Sequence, residues 1–237
     1  MTLVWSPGYA PVDEYYDNVS LLLYGNGANN GTTITDNSPS PKTVTASNGA
    51  VTSTGQSKFG GSSLLLPNVG IGTFATRGKF VVSHSVDFEL GSGDFTIEMW
   101  YYPQAQQDYS AIISRDGQDG PWIIYHGTVL SSGNPYFSGI GASLSFGSIA
   151  NYQWHHLAVT RASTVFRTFT NGVLVATGAS SASATSSTDN LVIGSNGGVT
   201  SGSARGIQAH IDDLRITKGV ARYTSNFTPP TAPFPDI

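Results

Sequence analysis

No stretch of a dozen residues in this 237-residue chain carries helical periodicity, and that absence limits the fold more than any motif does. In its place stand short apolar runs bounded by glycine, asparagine and serine. Twelve of them have the length and alternation of strands: 20–24, 62–66, 80–82, 95–102, 111–114, 122–125, 143–146, 155–161, 165–170, 173–177, 190–193 and 209–216. Asn171-Gly172 between two of these is a strong hairpin signal, because both residues accept positive φ. Residues 178–188, nearly all Ser, Ala and Thr, form a loop of low complexity. Many short strands without helices imply an all-β fold, a two-sheet antiparallel β-sandwich or jelly roll. No linker divides it. The expected organisation is an aromatic-bearing arm over 1–17, then one domain over 18–237 with a proline-rich exit.

Charged residues make up 11% and apolar residues 39% of the chain, with 28 glycines and a formal net charge of -4. Low charge with apolar residues spread throughout excludes a disordered chain. The acidic balance and scattered Lys and Arg argue against a nucleic-acid partner, which needs a basic face. With no cysteine, disulfides, a thiolate nucleophile and Cys-ligated zinc are all excluded. The first residues, Met1 to Pro7, lack the basic and apolar regions of a signal peptide, and no run is long enough for membrane insertion. The chain is expected to be made in a cytoplasm without a cleaved leader.

Alternation along 95–102 puts Phe95, Ile97, Met99 and Tyr101 on a core face, and Thr96, Glu98, Trp100 and Tyr102 on the other. That second face could form a concave surface where Trp100 and Tyr102 stack on sugar rings; Trp100 is otherwise covered by a neighbouring segment. Tyr109, Trp122, Tyr125, Tyr136 and Tyr152 are further stacking candidates, unless they line the core. Glycanase chemistry needs two facing carboxylates. The chain has three glutamates, Glu14, Glu89 and Glu98, and Glu98 is flanked at two residues by Thr96 and Trp100 rather than an acid. His155 and His156 are adjacent on a strand, so their rings point to opposite faces and cannot share a metal. A non-enzymatic chain with no catalytic residues is expected. Asp212-Asp213 is either a cap, an ion pair with Arg215 or Arg222, or an oxygen site for a hard cation. Asp116 and Asp119 in a Gly-rich turn are a second cation candidate, or simply a turn.

Three stretches carry a family resemblance. They are Ser92-Gly93-Asp94-Phe95-Thr96-Ile97-Glu98-Met99-Trp100, Trp154-His155-His156-Leu157-Ala158-Val159-Thr160-Arg161 and Ile211-Asp212-Asp213-Leu214-Arg215-Ile216. Lys58 to Leu64 and Thr170 to Val175 support them. Order and spacing resemble concanavalin A-like, laminin-G-like jelly-roll domains over about residues 18 to 230. The edges, Leu21 to Gly27 and Thr217 to Tyr223, are similar to the form found in tailed-bacteriophage virion proteins: tail fibres, receptor-binding proteins and capsid decorations. The resemblance implies a bound calcium on Asp212 and Asp213, with Asn26 and Asp36 contributing. It further implies a virion protein whose domain binds host surface polysaccharide. The other implied role is a decoration or adaptor docked on capsid or tail through the arm, with Trp5, Tyr9, Tyr15 and Tyr16 as docking rings. Phage appendages are commonly homo-oligomers, though no coiled-coil heptads specify one here.

Overall fold

The computed structural model describes residues 12–67, 71–72, 76–106, 110–115, 120–127, 133–195, 204–205 and 207–237. They form two antiparallel sheets of eight strands each and a two-stranded ribbon, Ile71–Gly72 with Ala204–Arg205. The first sheet runs Val173–Ala179, Val165–Thr170, His155–Ala162, Phe95–Gln106, Ile207–Lys218, Ser63–Leu66, Val51–Ser53, with Val19–Leu23 also paired to Ile207–Lys218. The second runs Ala142–Ser145, Asn134–Gly139, Trp122–Gly127, Ser110–Arg115, Leu191–Ile193, Lys79–Val82, Val44–Ser47, Thr33–Ile34. All twelve expected strands are present within a few residues. Strands such as Val44–Ser47, Val51–Ser53 and Asn134–Gly139 were not expected, because the first two are short with a single large apolar residue each and the third carries Pro135 and no alternation. Their pairing with neighbours, rather than their own composition, makes them strands.

Core packing follows the expected parity. Phe95, Ile97, Met99 and Tyr101 are fully buried between the sheets, with Leu157, Val159, Phe166 and, from the second sheet, Ile112, Trp122, Ile124 and Phe137. Asn171 and Gly172 both adopt positive φ, at 51° and 77°, in the expected hairpin. A side chain at Gly172 would also collide with the Phe227 carbonyl. No helix is long and apolar enough to cross a membrane among the described residues.

The strand Ile207–Lys218 holds the first sheet together. One edge pairs with Phe95–Gln106 along almost its whole length. The other edge changes partner midway, from Ser63–Leu66 opposite Ala209–Ile211 to Val19–Leu23 opposite Leu214–Thr217. At the change the ladder holds one extra residue: Asp212 faces Trp100 and Arg215 faces Glu98. That is a β-bulge. Asp213, with φ at 46°, occupies the left-handed conformation that Asp and Asn tolerate best among residues with a side chain. The bulge reverses parity, so Ile207, Ala209 and Ile211 face the core before it, and Leu214 and Ile216 after it.

The outer face of this sheet is also covered. After Lys218 the chain crosses it: Thr96 Oγ1 donates to the Val220 carbonyl and Thr160 Oγ1 to the Tyr223 carbonyl. Tyr223 and Phe227 stack at 3.6 Å, and both rings meet Phe169 edge-on. Phe234 packs with Val19 and Leu22 and lies 3.7 Å beneath the Arg215 guanidinium. The middle of the sheet is thus dry on both sides, while its edge strand Val173–Ala179 stays largely exposed. Phe234→Ala should cost about 3 kcal/mol of stability through the lost ring and the void it leaves. Urea unfolding of the two chains tests this; an unchanged midpoint would mean the tail does not seal the face.

Candidate functional site

Beneath the tail, the outer face carries charge rather than apolar side chains. Glu98 is 0% exposed, and its two oxygens are shared out. Oε1 accepts from Arg215 Nε at 3.0 Å and Nη2 at 2.7 Å; Oε2 accepts from the Tyr223 hydroxyl at 2.8 Å and lies 3.3 Å from His156 Nε2. Burial alone would raise this carboxyl, but the Arg215 charge and the His156 contact hold it down at about 2. Arg215 passes its Nη1 on to Asp13 at 2.9 Å. Arg222 grips the same Asp13 with two parallel bonds of 2.9 and 2.7 Å, while its Nε donates to Thr217. His156 is boxed by Trp100, Phe227 and Phe234, all edge-on. A carboxyl kept ionised and out of water cannot deliver a proton to a leaving group at neutral pH.

The bulge carboxylates lie beside this network but outside it. Asp212 accepts the Lys58 and Phe59 N–H groups on Oδ2 and the Asp213 N–H on Oδ1. Asp213 Oδ2 accepts the Phe234 N–H, and its Oδ1 has no hydrogen-bond partner. Neither aspartate pairs with Arg215 or Arg222, which are taken by Glu98 and Asp13. Burial, together with the neighbouring Asp212 charge, raises Asp213 to about 8; burial raises Asp212 to about 6. The expected calcium ligands do not converge. Asp36 spends both oxygens on the Leu22, Ser38 and Lys42 N–H groups and the Ser38 hydroxyl, and Asn26 is exposed. Among the described residues no group of three or more His, Asp or Glu side chains could hold a metal. Of the Asp212, Asp213 and Asp36 oxygens, Asp213 Oδ1 alone accepts no donor, and one free oxygen falls short of the several that a hard cation needs. Asp116 and Asp119 lie outside the described residues.

The expected stacking rings divide sharply. Trp122 is 0% exposed and belongs to the core, which corrects its place among the binding candidates: its strand is central in the second sheet and points the ring between the sheets. Trp100, 5% exposed, is closed over by Phe59 edge-on at 6.2 Å and by Lys58 Nζ at 3.7 Å above the ring, so its face cannot receive a sugar. Tyr125 is buried too, 5.6 Å from the half-buried Tyr136. Tyr15 and Tyr16 are half-buried against their own domain; the Tyr16 hydroxyl donates to the Asn37 carbonyl, and its ring packs on the Val19, Leu22 and Phe234 cluster. Trp5, Tyr9 and Tyr109 lie outside the described residues.

Tyr102 remains, half-open at the far end of the same strand as Glu98. Its ring lies 5.4 Å from Trp154, also half-open, and 5.9 Å from His210. His210 Nδ1 is 2.9 Å from Ser63 Oγ, and burial lowers the imidazole to about 4, so the ring is neutral. Tyr152, 64% exposed and held at φ 61°, is fixed beside the pair by its N–H bond to the Pro103 carbonyl at 2.7 Å. Tyr102, Trp154 and Tyr152 together make an aromatic platform, the first two rings half-open and in contact and the third exposed and placed by its backbone, with the neutral His210 and Ser63 buried behind Tyr102. Sequence reasoning missed Trp154 because it opens a strand motif and was weighed only as a framework residue.

Residues 76–222, well over half of the chain, match the family described as the concanavalin A-like lectin/glucanases superfamily. The chain belongs to that superfamily. No curated protein matches it. Among solved structures, this superfamily member resembles the binding domain of Paraclostridial Mosquitocidal Protein 1, at TM-score 0.64 and 13% identity over 87% of this chain and 50% of that one. It likewise resembles a botulinum neurotoxin type C structure titled for cell entry dependent on two ganglioside molecules, at TM-score 0.60 and 18% identity over 87% and 49%. A third is the binding domain of botulinum neurotoxin DC in complex with SialylT, at 0.60 and 15% over 87% and 50%. The chain spans about half the length of each. At such identities the likeness establishes the jelly-roll fold alone.

Two expectations follow from the buried charges. The Asp212 and Asp213 carboxyls, raised above the ordinary 3.8, favour folding while protonated; that contribution is full below about pH 4 and is lost as pH rises through about 6 and 8. Asp213→Asn keeps an acceptor for Phe234 and tolerates the left-handed backbone. It should therefore raise stability at pH 8 and flatten the decline between pH 5 and 8.5, measured by urea unfolding across that range. Glu98→Gln leaves Arg215 without its main counter-charge in a dry site, and should cost about 3–5 kcal/mol. A loss below 1 kcal/mol in the same assay would show that the network is dispensable.

Proposed function

We propose that the chain is a non-enzymatic recognition domain of a bacteriophage virion surface protein, and that it binds host cell-surface glycan on the Tyr102, Trp154 and Tyr152 platform. The observation that carries this reading is the platform itself: two half-open rings in contact, Tyr102 and Trp154, with the exposed Tyr152 anchored by its backbone next to them, where most other aromatic side chains of the described residues are buried or covered. Aromatic faces stack on the apolar faces of pyranose rings, and the buried, neutral His210 behind Tyr102 leaves the rings without a charge beside them. Support also comes from membership of a lectin and glucanase superfamily and from neighbours titled as binding domains, one in complex with SialylT, beside one titled for cell entry dependent on two ganglioside molecules. Against the glucanase branch stands Glu98, ionised, sealed and without a carboxylate partner across an open cleft. The virion context rests on the Leu21 to Gly27 and Thr217 to Tyr223 segments.

A bacterial-polysaccharide array, followed by titration of any hit, tests the reading. Trp154→Ala should weaken binding about five- to tenfold, the scale of a lost ring stack of about 1–1.4 kcal/mol, without changing the thermal midpoint much. A folded protein that binds no glycan on the array, or binds equally after Trp154→Ala, would overturn the platform. Reducing ends released from a bound polysaccharide would overturn the non-enzymatic reading.

A further inference from the structure

Where the segment 12–15 meets the proline-rich tail, the outer face opens into a cavity of about 700 Å³. Its floor is the Arg215–Asp13–Arg222 cluster; its walls include the Tyr15 ring and the tail prolines Pro230 and Pro233. This volume suits a small ligand of one or two sugar residues. The floor is unusual in how it is supplied. Both arginines come from Ile207–Lys218 and the tail that follows it, whereas the carboxylate between them comes from a different part of the chain, the short segment leading into Val19–Leu23.

Three guanidinium N–H groups converge on Asp13, two from Arg222 and one from Arg215. The other arginine donors are committed elsewhere, Arg215 Nε and Nη2 to Glu98 and Arg222 Nε to Thr217. Glu98 is sealed beneath and cannot move toward the cavity. With Asp13 withdrawn, the floor would present three aimed donors and one uncompensated positive charge to the cavity, a forked geometry that matches a carboxylate. The Asp13 main chain is held by its N–H to the Ile237 carbonyl and by the Tyr16 N–H to its own carbonyl, both at 2.9 Å, while beyond the arginines its carboxylate has only the Tyr15 N–H at 3.0 Å. An incoming acid that replaced the guanidinium bonds would leave the side chain one bond to give up. Glu14 at the mouth is exposed, so water screens its charge.

We propose that this cavity is a second glycan subsite, one for a carboxylate-bearing sugar such as a sialic or uronic acid, and that Asp13 is the chain's own competitor for it. The acid group takes the place of the Asp13 carboxylate on Arg215 and Arg222, while the sugar ring lies against Tyr15, whose ring is 5.4 Å from the Arg222 guanidinium. A sugar acid fits better than a peptide C-terminus because the walls are ring faces and prolines that offer no strand edge to pair with a peptide backbone. The inference builds on the glycan-binding reading above but uses different residues.

The probes are free N-acetylneuraminic acid and glucuronic acid, each beside its methyl ester, followed by NMR titration. In the unmutated chain the Arg222 Nε–H signal should move with either acid and not with its ester. Asp13→Asn should tighten acid binding by about tenfold, and Arg222→Gln added to it should abolish the gain. Trp154→Ala should leave these acid shifts unchanged, so loss of the platform and loss of this subsite are separable results. No Arg222 shift with either acid, or an equal response to acid and ester, overturns the proposal whether or not Asp13→Asn folds. An acetylated tripeptide binding through its C-terminal carboxylate as tightly as the sugar acids would overturn the assignment to sugars.

Discussion

Burying a carboxylate inside a sheet is tolerable only when its partners are buried with it, and Glu98 imposes that condition on most of the first sheet. Arg215 must lie opposite it in the neighbouring strand, which sets the register across the bulge. Tyr223 must return over the sheet to supply its hydroxyl, which fixes the path of the tail. Arg215 in turn needs Asp13 for its remaining donor and Phe234 under its flat face, so both ends of the described chain are drawn onto one surface. A face that in many sandwiches is wet becomes a third packed layer, built from polar contacts at its centre and aromatic contacts around it.

That layer also determines where recognition can occur. The tail and the Lys58-Phe59 segment close the middle of the face over His156 and Trp100, and two openings flank the closed part. One end holds uncharged rings, Tyr102 and Trp154; the other holds paired arginines under a cavity. A single polysaccharide chain meeting both would present ring faces to one and acid groups to the other, so the two chemistries are complementary rather than redundant.

Much of the fold was legible because alternation and turn chemistry are local. The core face of 95–102, the Asn171-Gly172 hairpin and the strand 155–161 all follow from neighbours within a few positions. What stayed hidden depends on distant partners. That Trp100 is closed is decided by Lys58 and Phe59, some forty residues before it. Asp212-Asp213 looked like a ligand pair because adjacent acids suit a cation, yet a local clue lay beside it. Apolar residues fall at odd positions up to Ile211 and at even ones from Leu214, a break in alternation that only an extra residue can repair. Asp13, the residue that organises the floor of the cavity, carried no sequence signal at all, since its partners lie some two hundred residues away.

The bulge has a consequence for how such a chain can change in length. Because a strand's side chains alternate, removing one residue at Asp213 would leave either the upstream or the downstream half of Ile207–Lys218 facing the core correctly, never both. Every single-residue deletion or insertion along that strand meets the same arithmetic, whereas replacing Asp213 by another residue that accepts its backbone angle does not. Spacing between Ile211 and Leu214 is therefore a stricter requirement than the acidity of the two residues between them, and changes of length in this domain belong in its loops.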